Sequence, residues 1–353
     1  MRKVLVISIG CPSGVGPEVS VLGAAEKRLG VSVVLVGDRA LIEKAARLRL
    51  GERCIYDVTT REEMLAVRAG DIAVFAGSAP LEGPIVPSQP SNAKGRAQLK
   101  WIDQGADLVA SGVADALVTG PVSKLAIATS GVDGAAAFLG HTEHLARRLR
   151  AHEVVMAFAS KELTTSLVTT HLPISAVPKA ITAAAVATST YWLGRLLIAR
   201  GIEKPRLVVA ALNPHAGEGG LLGDEERTQI QPGIAAAAKR LEKEKLSVSI
   251  TGVLGAETAF RKSVGDARSY DGVVAMYHDQ ATIPLKLLGF GEATNVTLGL
   301  PIIRTSVDHG TGYDIAWQGK ADPRGMIEAL NLAAELCHAK QPPLSSNASR
   351  KGS

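Results

Sequence analysis

The sequence predicts an α/β fold, and three observations carry that prediction. Short β-branched runs alternate with helical stretches along most of the chain. Glycine (36 residues) and proline (17 residues) are plentiful enough to punctuate many tight turns. The core must be aliphatic, because 46% of residues are hydrophobic while only 4% are aromatic. At 353 residues the chain has the length of two domains or one bilobal unit.

The strand-like runs fall at 3–9, 32–36, 71–75, 116–119, 153–158, 166–169, 206–212, 248–253 and 272–276. Helical spacing of apolar residues is clearest over 184–199 and 233–245. Open sheets of this class bind ligands at the carboxyl ends of their strands, so polar residues just past each run are the first candidates for function. The tail 341–353 is rich in proline, serine and charge, and is expected to be disordered.

Bulk chemistry excludes several function classes. The formal net charge of +5 comes from scattered basic residues without interleaved aromatics, which is a solvated surface and not a nucleic-acid track. Mild positive charge still attracts an anionic substrate. Cys11, Cys54 and Cys337 have no spacing that suggests a disulfide framework or a zinc knuckle. The apolar run at 4–7 is too short for a signal peptide, and no run is long enough to span a bilayer. The expectation is a cytoplasmic protein that binds neither membrane nor nucleic acid.

Three of the eight histidines share one context. His171, His215 and His278 each sit just past an apolar run. If those runs are strands of one sheet, the imidazoles can converge on one cleft. Three neutral imidazoles with open positions make a catalytic metal site. Their wide spacing matches no compact zinc motif, so position alone leaves open a plain hydrogen-bonded loop histidine at each site.

Other segments suit anions or a cofactor. The turn from Gly10 to Glu18 follows a strand, but its glycines are spaced G-x-x-x-G-x-G and not G-x-G-x-x-G. Pro17 fits the first turn of a helix. His141 and Thr142 stand where a helix starts, a place that favours anions, although Thr142 could equally be a plain cap. Lys286, Asn295 and Arg304 form a second polar set suited to phosphate or carboxylate, or to surface ion pairs. The stretch His309-Gly310-Thr311-Gly312-Tyr313-Asp314 is glycine-rich with a carboxylate able to accept from ribose hydroxyls, or is a solvated loop.

Taken together, the stretches GCPSGVGPE, LVTGPVSK, GHTEHLA, TTHLPISAVPKAIT, LNPHAGEGGLLGDEE and YDGVVAMYHDQATIPLKLLGFGEATNVTLGLPIIRTSVDHGTGYDIAWQGKADP resemble the 4-hydroxythreonine-4-phosphate dehydrogenase family of vitamin B6 biosynthesis. They run from residue 10 to residue 323. The resemblance implies a two-domain α/β/α fold like isocitrate and isopropylmalate dehydrogenases. The domains would be 1–130 with 295–340, and 131–294. It implies a homodimer with shared active sites, one divalent metal (zinc, cobalt, manganese or magnesium) on His171, His215 and His278, and substrate contacts from His141, Thr142, Lys286, Asn295 and Arg304. The family reaction oxidises 4-phosphooxy-L-threonine at C3 and decarboxylates the product to 3-amino-2-oxopropyl phosphate.

NAD is the expected cofactor, with NADP possible. The stretch HGTGYDIA is similar to the adenosine-binding loop of isopropylmalate dehydrogenases, which points to His309, Gly310 and Asp314. Lys124 and Asp279 are candidates for the catalytic base by their nearness to the motifs. The family's usual acid in the first glycine turn is Cys11 here. D-threonate or D-erythronate 4-phosphate stays open as the substrate. An aromatic cis-dihydrodiol fits less well, since it lacks phosphate. A phosphate acyltransferase or a sugar-phosphate sensor would not need three metal histidines.

Overall fold

The structure is a computed structural model and describes residues 1–28, 30–289 and 291–342. The chain divides into two compact units, each contributing six strands. Unit 1 is built from Met1–Ala151 and Leu300–His338, and unit 2 mainly from His152–Gly299.

Unit 1 contains β1 (Lys3–Ser8), β2 (Val31–Val36), β3 (Ile55–Val58), β4 (Ile72–Phe75), β5 (Ala116–Thr119) and β12 (Ile303–Val307). Their order is β3-β4-β2-β1-β5-β12, and every pairing is parallel. A parallel sheet is covered on both faces, so its strands are apolar on both sides. That is why β2, VSVVLV, is buried at all six positions. The helices Gly16–Ala25, Asn92–Ala110 and Arg324–His338 supply the cover. Pro17 stands in the first turn of its helix, as the sequence predicts. Asp38, just past β2, caps the helix Arg39–Leu50 by accepting from Leu41 N at 2.8 Å.

Unit 2 contains β6 (Val155–Ala159), β7 (Thr164–Leu167), β8 (Arg206–Ala210), β9 (Ser249–Leu254), β10 (Gly272–Ala275) and β11 (Thr294–Leu298). Their order is β11-β6-β7-β10-β8-β9. The β11–β6 and β6–β7 pairs are antiparallel and the remaining pairs parallel. Met156, Phe158, Leu167, Val208 and Val273 belong to its core. The helices Ala183–Ala199 and Gln231–Lys243 pack on each other, close to the predicted spans 184–199 and 233–245.

The unit boundaries differ from the sequence expectation. Residues 131–151 belong to unit 1, not to the second domain. The cause is the helix His141–Arg148, which His144 ties to Asp103 at 2.6 Å and Arg148 ties to Asp107 at 2.6 Å. Residues 295–299 belong to unit 2, because β11 pairs with β6. Most of the expected disordered tail, 343–353, lies outside the described residues. Among the described residues no single helix is long and apolar enough to cross a membrane.

Candidate active site

In unit 1 a buried cation and a half-buried imidazole come together. Arg304 lies in β12, which pairs in parallel with β5, and it is 3% exposed. Its guanidinium donates to Thr119 Oγ1, at the end of β5, at 2.6 Å. Burial pushes its pKa from 12.5 down to about 9, against the pull of Glu143. It is still a cation at neutral pH. His141 opens the helix His141–Arg148, and its Nε2 is buried without a hydrogen-bond partner. Burial, then the charges of Arg304, His144 and Lys124, hold His141 well below the ordinary 6.5. Thr142 is buried beside it. Lys124 opens the next helix after β5, is exposed, and runs alongside Gly140. A buried guanidinium beside a ring nitrogen without a partner suits an anion.

The same unit holds the two glycine-rich segments against each other. Val15 N donates to Thr311 O at 2.8 Å. A Cβ on Gly14 would lie 2.4 Å from that same carbonyl, so only glycine allows the contact. Cys11 is buried with its Sγ 3.5 Å from Tyr313 Oη, and burial raises its pKa. Glu18, fully buried, accepts from Trp317 N (2.7 Å), Gly319 N (3.0 Å) and Arg49 Nη1 (3.3 Å). It ties the first turn to the segment that follows Asp314, a role no local sequence signal carries. His309 bonds Gly310 O through Nδ1 at 2.9 Å, while its Nε2 is buried without a partner. Gly310 and Asp314 are exposed. Nothing lies within 4 Å of a Cβ built on Gly310.

In unit 2, β7, β10 and β8 are adjacent and parallel, so His171, His278 and His215 follow neighbouring strand ends. The rings of His171 and His278 have centroids 5.4 Å apart. Asp279 Oδ1 is 2.7 Å from His278 Nδ1, which fixes that ring and leaves Nε2 as the atom able to ligate a metal. Gln280 stitches the strand ends together: it accepts from Met276 N at 2.6 Å and donates to Ala211 O at 2.8 Å. His215 stands apart on a left-handed turn (φ 51°). Among the described residues no three His, Cys, Asp or Glu side chains form a group that would hold a metal. Two imidazoles therefore fit a metal site as a ligand pair, and the third is not assembled with them.

The five expected substrate residues divide between the units. His141, Thr142 and Arg304 lie in unit 1. Lys286 and Asn295 lie in unit 2. Lys286 is exposed in the last turn of the helix His278–Leu288, two turns beyond His278 on the same face. Asn295 is half-buried in β11, opposite Phe158.

The family model described as pyridoxal phosphate biosynthetic protein PdxA matches residues 30–333. The chain belongs to the PdxA family. The 4-hydroxythreonine-4-phosphate dehydrogenase of Desulfosudis oleivorans is 39% identical over 350 residues, covering 97% of this chain and 98% of that protein. The crystal structure of the Klebsiella pneumoniae 4-hydroxythreonine-4-phosphate dehydrogenase superposes with a TM-score of 0.81 at 34% identity, covering 96% of this chain and all (100%) of that one. A terephthalate 1,2-cis-dihydrodiol dehydrogenase from Burkholderia xenovorans is more distant, with a TM-score of 0.66 at 26% identity over 95% of this chain and 98% of that one. PdxA relatives are thus dehydrogenases, and the α/β architecture is the one they share.

Proposed function

We propose that this PdxA-family protein oxidises 4-phosphooxy-L-threonine at C3 and decarboxylates the product to 3-amino-2-oxopropyl phosphate. The observation that carries the reading is the buried Arg304 guanidinium beside the partnerless Nε2 of His141. Family membership supplies the reaction type.

Arg304, His141 and Thr142 bind the phosphate, with Lys286 and Asn295 as further substrate contacts. His171, His215 and His278 would hold a divalent metal that would polarise the C3 oxygen, and bound NAD would supply the hydride acceptor. Asp279 orients His278, and that bond engages it elsewhere than as a base. Lys124, beside the His141 helix, is the remaining candidate for the hydroxyl proton, and it can accept one only as the neutral amine. Loss of carbon dioxide from the resulting β-keto acid leaves a carbanion equivalent that a proton must quench, and the same amine can return one. Asp314 accepts from the ribose hydroxyls of NAD and repels the 2′-phosphate of NADP.

We further propose a homodimer. Leu172, Ile174, Leu221, Leu222, Ile283 and Leu287 are large exposed hydrophobics on the segments that follow the three histidines. A second copy would remove them from water. Light scattering should give twice the 36.8 kDa chain mass.

The function is tested through the metal. Each of His171→Ala, His215→Ala and His278→Ala should lower metal content by elemental analysis and abolish turnover, with circular dichroism unchanged. Chelator should do the same to the wild type, reversibly. Full metal occupancy and full activity in all three variants would sink the metal-dependent reading.

A further inference from the structure

His215 sits in an unusual stretch of backbone. Five consecutive residues adopt left-handed angles: His215 (φ 51°), Ala216 (53°), Gly217 (80°), Glu218 (43°) and Gly219 (69°). Only two of the five are glycine. An L-residue in this region brings its Cβ against the following carbonyl, so a one-turn left-handed loop persists only if its surroundings hold it.

What holds it is a pair of carboxylates. Glu226, 5% exposed, accepts from Leu212 N at 2.9 Å and Asn213 N at 2.8 Å through Oε1, and from Asn213 Nδ2 at 3.0 Å through Oε2. Glu225 takes Asn213 Nδ2 as well, at 2.7 Å. The Glu226 carboxylate also lies directly under the loop: a Cβ on Gly217 would meet its Oε2 at 2.9 Å. Glu226 opens a five-residue π-helical turn, Glu226–Ile230, that runs into the helix Gln231–Lys243. Such turns are rare and recur at functional sites.

We propose that Glu226 is the positioning residue for His215: its buried carboxylate fixes the backbone at 212–213 and thereby the left-handed loop that carries the third imidazole. The proposal rests on the reading that His215 serves the reaction. Glu226 touches neither substrate nor cofactor and acts only through the loop.

The test uses full-length protein with Glu226→Ala and Glu226→Gln. The glutamine keeps an acceptor at Oε1 but turns a donor toward Asn213 Nδ2. Amide hydrogen exchange over 212–222 should speed up at least about tenfold in Glu226→Ala and less in Glu226→Gln. Zinc(II) titrated into the metal-free protein should bind at least about tenfold more weakly, in the same order. The kcat should fall while KM for the phosphorylated substrate stays within about threefold, because His141, Thr142 and Arg304 are in the other unit. Unchanged exchange overturns the proposal, and so does faster exchange with unchanged zinc affinity and kcat where His215→Ala itself lowers both. If Glu226→Ala fails to fold, Glu226→Gln and Asn213→Ala carry the same readouts. If His215→Ala keeps wild-type zinc affinity and turnover, the reading of His215 falls, and the exchange data still decide whether Glu226 holds the loop.

Discussion

Replacing Arg304 by methionine separates the phosphate contact from the stability of the fold. The side chain is 3% exposed and its guanidinium makes a 2.6 Å bond to Thr119. Two effects oppose each other in the free protein. Methionine loses that charged bond, worth about 1.5–3 kcal/mol, and fills roughly the same space. It also removes a cation whose pKa burial has pushed down to about 9, so the fold bears a desolvation cost for keeping it charged at neutral pH. The two offset in part, placing Arg304→Met within about 2 kcal/mol of the wild type without ligand. With a phosphorylated ligand the sign is clear. Each charged hydrogen bond lost costs about 1.5–3 kcal/mol, or roughly ten- to 150-fold in affinity. The assay is a pair of measurements. Thermal melts with and without inorganic phosphate should show a ligand-induced rise in Tm for the wild type and little or none for the variant. KM should rise with 4-phosphooxy-L-threonine and change little with the dephosphorylated analogue. A variant that loses equally against both substrates, or that keeps its phosphate response, would refute the reasoning.

Three further outcomes follow from the same geometry. His141 is held well below 6.5, so the folded state binds fewer protons than the unfolded chain as pH falls through 6.5. The wild type should therefore lose stability relative to His141→Asn between pH 7 and pH 5 in urea unfolding, and a constant gap would contradict it. Glu18→Ala leaves the Trp317 and Gly319 amides and Arg49 without their acceptor, and should cost about 2–4 kcal/mol, read from urea midpoints. A loss below about 0.5 kcal/mol would show that Glu18 does not tie the two glycine-rich segments together. Asp314→Asn should lower the NAD-over-NADP ratio of kcat/KM by at least about tenfold, roughly 1.4 kcal/mol, and an unchanged ratio would show that the ribose is read elsewhere.

The parts of the fold legible in the sequence are those where burial and chemistry do not conflict. β1, β2 and β10 read as apolar β-branched runs because both faces of a parallel strand are covered. β11 and β12 were hidden by function. TNVTL and IRTSV carry Asn295 and Arg304 inside buried strands, and these polar residues break the apolar pattern that marks a strand. β3 was hidden by position, since at the sheet edge Tyr56 and Asp57 are exposed. In the site, the strand-end placement of the histidines was visible because each follows an apolar run, but only His171 and His278 come together there. Glu18 reads as an ordinary acid in the first turn of a helix, yet its partners are Arg49, Trp317 and Gly319, far along the chain. Nor does any local pattern show that His144 bonds Asp103, the contact that moves the unit boundary. The left-handed path of His215 and Ala216 was invisible for another reason: neither residue type signals a positive φ.

The measurement that bears most directly on the central claim is the initial rate of NADH formation by the metal-loaded protein, followed by the absorbance of the reduced nicotinamide together with carbon dioxide release. With 4-phosphooxy-L-threonine the account predicts substrate-dependent NADH, one carbon dioxide for each NADH, and loss of both signals with chelator. Faster turnover of D-threonate or D-erythronate 4-phosphate would contradict the substrate assignment, and NADH without carbon dioxide would contradict the decarboxylation.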